Sequence, residues 1–97
     1  MNNAIMGLCT LEMHLSGVLS LKEKRGLLKR MFARVRKQFN VSIAEIDHHD
    51  KWQSTRIAIV TVTNSTKHAQ QSIDTISKWI EANFPDHLIV DQEIEII

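Results

Sequence analysis

The 97 residues include one cysteine, one proline, three glycines and no tyrosine. The lone cysteine, Cys9, excludes an intramolecular disulfide, and its place in an apolar run reads as a buried, inert thiol. No apolar stretch approaches the ~20 residues that cross a bilayer, and no basic segment followed by an apolar core opens the sequence. Cytoplasmic residence without membrane association is therefore the expectation. An excess of charge of one sign is missing too. Twelve lysines and arginines face 11 carboxylates, for a net charge of +1, so only the distribution of charge can point to a partner. With no repeat, low-complexity tract or linker, the length fits one domain, residues 1–97, whose modest core needs neither metal nor disulfide.

What is present is a clean alternation of strand and helix patterns. Residues 4–15 read as a strand, with Ile5, Gly7, Cys9, Leu11, Met13 and Leu15 on one side and Thr10, Glu12 and His14 on the other. Ser16 and Gly17 form a turn. Ser20 and Glu23 then make a capping box: the Ser20 hydroxyl accepts from the amide of residue 23, and Glu23 reaches back to the Ser20 amide. The helix it opens runs from Leu21 to about Phe39, on a stripe of Leu21, Leu28, Met31, Phe32, Val35 and Phe39. Residues 41–47 and 55–63 follow as β-branched strands joined by a projecting connection, 48–54. Asn64, Ser65 and Thr66 offer caps for a second helix, with Ala69, Ile73, Ile76, Ile80 and Phe84 as its stripe and Pro85 as its end. Residues 88–97 close the pattern, with Leu88, Val90, Ile94 and Ile96 inward. Met6, Met13 and Met31 read as core filler. The order βαββαβ predicts an α+β, ferredoxin-like sandwich: a four-stranded antiparallel sheet, order 4-1-3-2, with two helices on one face. The bare face is expected to carry Thr10, Glu12, Thr61, Thr63, Asp91, Glu93 and Glu95, polar and partly acidic.

The first helix concentrates cations. Lys22, Lys24, Arg25, Lys29, Arg30, Arg34, Arg36 and Lys37 are eight of the chain's twelve lysines and arginines, beside one acid, Glu23. At about 100° per residue, Lys22, Arg25, Lys29, Arg30, Arg34, Arg36 and Lys37 share a broad arc opposite the stripe, and Lys24 falls near the stripe's edge. Such a face can track phosphates, or simply keep a small domain soluble. The segment His48-His49-Asp50-Lys51-Trp52 also collects reactive side chains. Adjacent histidines seldom converge on one ion and no further cluster completes a ligand set, so neither metal nor cofactor is expected. Trp52 reads as a packing anchor, with contact to a partner as its alternative.

Three runs carry a resemblance: Ser20-Leu21-Lys22-Glu23-Lys24-Arg25; residues 39–47, Phe-Asn-Val-Ser-Ile-Ala-Glu-Ile-Asp; and Asp50-Lys51-Trp52-Gln53 leading into the third strand. Together they resemble the YlxP-like family of small bacterial proteins, over nearly the whole chain. The resemblance implies a ferredoxin-like fold in a bacterial cytoplasmic protein. Its members often lie in operons with transcription-elongation, translation-initiation and ribosome-maturation genes, which hints at RNA or ribosome work. It supplies no catalytic residue.

Three functions compete on the residues. The first is a non-catalytic protein binding RNA or a ribosomal particle through the basic helix. The sheet is a poor RNA platform, because its third strand lacks the aromatics that stack bases in RNA-recognition motifs. The second is a protein-interaction or homodimerisation module, since such sheets have exposed edge strands. The third is a hydrolase of acylphosphatase type. That chemistry needs an arginine in the phosphate-cradling loop after the first strand, and His14-Leu15-Ser16-Gly17-Val18-Leu19-Ser20 has none. No nucleophile–base arrangement is discernible from spacing either, so an enzyme is not expected.

Overall fold

A computed structural model, which describes residues 3–97, shows β1 (Ile5–Leu15), α1 (Leu21–Gln38), β2 (Ser42–Asp47), β3 (Ser54–Thr63), α2 (Thr66–Asn83) and β4 (His87–Ile96). The strands form one antiparallel sheet in the order β2-β3-β1-β4. This is the ferredoxin-like arrangement that the patterning predicts. No helix among the described residues is long and apolar enough to cross a membrane.

Both helices close over one side of the sheet. Leu28, Met31 and Val35 of α1 and Ile73, Ile76 and Ile80 of α2 join Cys9, Leu11, Met13, Ile57 and Ile59 in one buried cluster. Where α2 crosses β1 the chain uses Gly7. A Cβ there would stand 2.8 Å from Ile73 Cδ1 and 3.2 Å from Thr61 Cγ2, so a side chain would push the helix off the strand. Gly17 serves the β1–α1 turn with φ +78. Ser20 caps α1 as its spacing predicts, accepting from the Glu23 amide at 3.0 Å. Glu23 reaches one residue farther than expected, to the Leu19 amide at 3.0 Å rather than that of Ser20.

The fourth strand departs from the simple alternation. Glu12 pairs with Asp91 and Met13 with Ile89, which leaves Val90 as an extra residue in a β-bulge. The bulge reverses the parity of everything before it. Ile89 turns toward the core, while Leu88 and Val90, expected inward, are exposed. Thr61 and Thr63 are a second correction. Thr61 sits beside Gly7 under α2, and Thr63 shares its side of β3. The bare face of β3 is instead Arg56, Ala58, Val60 and Val62. Met6, expected in the core, belongs to that bare face as well and is 40% exposed. The open side of the sheet is thus less polar than the sequence suggests.

Two groups inside the fold have shifted acidities. Burial pushes the Cys9 thiol up, against weak hydrogen bonds from Ser77 and Gln92. Burial also lowers His87, opposed by nearby Asp86 and reinforced by His14, and its Nδ1 is buried without a hydrogen-bond partner. A histidine kept neutral in the native state binds fewer protons than it does unfolded, so its contribution to stability is intact above its ordinary value of 6.5 and falls as pH drops through that value. Urea midpoints should accordingly decline from pH 8 to pH 5 less steeply in a His87→Gln variant than in the natural protein. Equal slopes would show that His87 carries none of this dependence.

Candidate nucleic-acid interface

Helix α1 turns its apolar stripe to the sheet, which leaves the opposite arc in water. Lys22, Arg25, Lys29, Arg30, Arg34, Arg36 and Lys37 are all exposed. None of the seven is ion-paired with a carboxylate among the described residues; the lysine and arginine ion pairs belong to Lys24 and Arg56. Two of the seven are held in place by neutral contacts. Arg34 lies with its guanidinium carbon 5.4 Å from the Trp79 ring centroid and 5.0 Å from that of Phe84. It also donates to Asn83 Oδ1 at 2.9 Å, which stitches α1 to α2. Arg36 donates to the Ile43 carbonyl at 3.1 Å and lies 6.0 Å from the Phe32 centroid, at the seam with β2. A shallow groove lined by Arg34, Lys37, Gln38, Trp79 and Asn83 continues the charged arc onto α2. Guanidinium groups stacked in this way lose little further freedom on meeting a phosphate or base.

Lys24 does not belong to this arc. It is 1% exposed, and its Nζ stands 2.7 Å from Glu45 Oε2 and 2.6 Å from the His48 carbonyl oxygen. Its angular position is inside the buried stripe rather than at its edge, since it falls between Leu28 and Met31 when the helix is viewed down its axis. Glu45 Oε2 also accepts from Thr55 Oγ1 at 2.6 Å. Read from the sequence, Lys24 stands near the stripe's edge, apart from the charged arc, but this buried cluster does not show. The available signal is a lysine on the apolar stripe with Glu45 in step with Ile43 on the inward side of β2.

The segment after β2 folds back onto the body instead of projecting. His48 takes a left-handed backbone, φ 66, unusual for a residue with a side chain, and its carbonyl accepts from the Lys51 amide at 3.0 Å. Its amide donates to Asp47 Oδ1 at 2.7 Å, which holds the Asp47 carboxyl below its ordinary range. Its Nε2 meets Glu12, at 3.1 Å from Oε1 and 3.0 Å from Oε2. Arg56 approaches the same carboxylate at 3.5 Å and Glu93 at 3.7 Å. His49 turns the other way, 4.0 Å from Glu45 Oε1, so the adjacent histidines diverge. Trp52 is half exposed, at 51%, and is not packed into the core as an anchor would be. Next to it Gln53 donates to the Val18 carbonyl at 3.0 Å and accepts from the Leu15 amide at 2.9 Å. These bonds place the segment beside the turn that opens α1, so Trp52 stands at the end of the molecule where the basic helix begins.

The molecule is therefore polarised. Its cations line the outer side of one helix, while Glu12, Asp91, Glu93 and Glu95 lie on the far side of the sheet. Residues 6–94 match the family described as protein of unknown function (DUF503). Over 67 residues the chain is 42% identical to the uncharacterized protein YlxP of Bacillus subtilis (strain 168), which covers 69% of this chain and 72% of that protein.

Proposed function

The chain belongs to the DUF503 family of proteins of unknown function, and we propose that it is a non-catalytic cytoplasmic protein that binds RNA or an RNA-containing particle through α1. The observation that carries this reading is the set of seven exposed cations, Lys22, Arg25, Lys29, Arg30, Arg34, Arg36 and Lys37, with no carboxylate of the described chain neutralising any of them. Like charges at i,i+4, such as Arg25 with Lys29 and Arg30 with Arg34, work slightly against an isolated helix. A polyanion turns that repulsion into attraction. The sheet contributes little to such binding, because its open face lacks stacking aromatics and its fourth strand is acidic. Contacts through α1 fall on phosphates and give affinity with weak sequence preference. Trp52 adds one ring able to stack on an unpaired base at the edge of the charged surface.

The test is a salt titration of the natural protein against structured RNA and against ribosomal particles. With some five to seven phosphate contacts, log K against log salt should slope between roughly −3 and −6. Binding that ignores salt, or none at low salt, would remove the proposal.

A further inference from the structure

The uncovered face of the sheet belongs to no site described so far, and it is built in rows. Reading across β2, β3, β1 and β4, Ser42, Val60, Leu8 and Glu95 form one row, and Ala44, Ala58, Thr10 and Glu93 the next. Beyond them lie Val62, Met6 and Ile97 at one end, and Asp47, Arg56, Glu12 and Asp91 at the other. Six of the eight large apolar side chains exposed in the described chain, Met6, Ile46, Val62, Leu88, Val90 and Ile97, lie on the strands or directly after β4. Val62 is 64% exposed and Met6 40%, side by side. Met6, Val62 and Ile97 join Leu8 and Val60 in one apolar patch at that end, apart from Ile46, Leu88 and Val90 near the charged end. Such a patch on a sheet with no second layer marks an interface.

We propose that this face is covered by a second copy of the chain, sheet against sheet, about a two-fold axis running along the strands between β1 and β3. That axis makes the central rows self-complementary. Met6 falls on Val62 of the other copy, Leu8 on Val60 and Thr10 on Ala58, while Glu12 falls on Arg56. Along the two central strands apolar groups meet apolar groups and Glu12 meets Arg56, while the edge residues Asp47 and Asp91 fall near one another at the hydrated rim. A two-fold axis across the strands would instead set the Val62 end on the Arg56 end and bury charge against hydrocarbon. The small central residues Ala44, Ala58 and Thr10 let the sheets approach to the ~10 Å of packed sheets. The carboxylates of β4 fall at the rim and stay hydrated. Strands of 11, 6, 10 and 10 residues give a flat footprint of roughly 600 Å², which side-chain relief brings close to the ~800 Å² per partner of a stable interface. The helices, with their cations, face outward on both sides of such a dimer.

Sedimentation and light scattering from low to high micromolar protein should show a dimer. A Val62→Glu variant, placed where the monomer already exposes the side chain, should keep its circular dichroism spectrum and raise the dissociation constant at least about tenfold. Geometry is read by cross-linking with a short bismaleimide. Ser42 and Glu95 end one row, so the axis sets Ser42 of one copy under Glu95 of the other, while two copies of Glu95 stand far apart. A mixture of Ser42→Cys and Glu95→Cys chains should cross-link and neither alone should, with Cys9 buried and silent. A monomer throughout, a dimer indifferent to Val62→Glu, or cross-linking by Glu95→Cys alone, which marks pairing of β4 edges, would each overturn the proposal.

Discussion

Replacing Lys24 by Met should lower the stability of the protein by about 3 kcal/mol, more than any exposed lysine of α1 would. The methionine fills the same space, so packing is nearly conserved. What changes is the charge. Glu45 Oε2 loses a partner at 2.7 Å and keeps only the Thr55 hydroxyl, and the His48 carbonyl loses its donor at 2.6 Å and keeps the Lys51 amide at 3.0 Å. The carboxylate is mostly enclosed, with 15% of its side chain exposed, so water restores only part of the loss. For a domain of this size the melting temperature should fall by some 10 °C or more. Loss of a partner for Glu45, rather than loss of lysine packing, is diagnosed by the combined Lys24→Met, Glu45→Leu and Thr55→Val variant, which leaves no orphaned side chain and should recover most of the stability. Urea unfolding of the single and triple variants decides it. A single variant within about 0.5 kcal/mol of the natural protein would mean that the pair is energetically idle.

The consequence is local as well as global. Lys24 binds the carbonyl of His48, the residue with left-handed backbone that turns the chain toward Trp52 and Gln53. Such a conformation costs on the order of 1 kcal/mol and persists because its surroundings fix it, here through Glu12, Asp47 and Lys24. The buried lysine therefore positions the segment that lies against the start of the basic helix, although it touches no partner itself.

The fold was legible because each element announces itself locally. Ser20 and Glu23 bracket the start of α1, Ser65 caps α2, Pro85 follows its end, and the β-branched run of β3 alternates cleanly. The misreadings share a different cause. Period-two alternation assigns faces only while the ladder is regular, and the extra residue Val90 reverses Leu88 and Ile89 with no change in composition to signal it. Thr61 and Thr63 were placed outward because they are polar, although they keep step with Ile57 and Ile59. Polarity and parity disagreed there, and parity won because Gly7 leaves room for a threonine methyl under α2. Lys24 shows the same conflict in milder form. Its spacing reads as the stripe's edge rather than open water, and its full burial depends on an acid whose position only tertiary structure supplies. The seven remaining cations needed no long-range information, since an amphipathic helix exposes whatever stands opposite its stripe.

Reversing Lys29, Arg30 and Lys37 to glutamate should weaken RNA binding by about 10² to 10³ at 0.1 M salt without unfolding the protein. The magnitude follows from counterion release. Each phosphate contact contributes roughly 0.7 to 0.9 of a decade in affinity per decade of salt, so three contacts account for two to three decades between 1 M and 0.1 M. The slope itself should flatten by two to three units. These three positions are chosen because they have no protein partner that a substitution would strand, whereas Arg34 stacks on Trp79 and Phe84 and Arg36 bonds the Ile43 carbonyl. An Arg34→Glu variant would confound lost packing with lost charge. The triple variant should melt near the natural protein, since it removes like-charge crowding along α1 and opens no cavity. A variant that stays folded and still binds RNA with the natural affinity and salt slope would show that α1 does not meet the phosphates. Arg56 would then be the one strong cation left to try on the sheet. Its two carboxylate neighbours, Glu12 at 3.5 Å and Glu93 at 3.7 Å, make it a poor anchor for an anion.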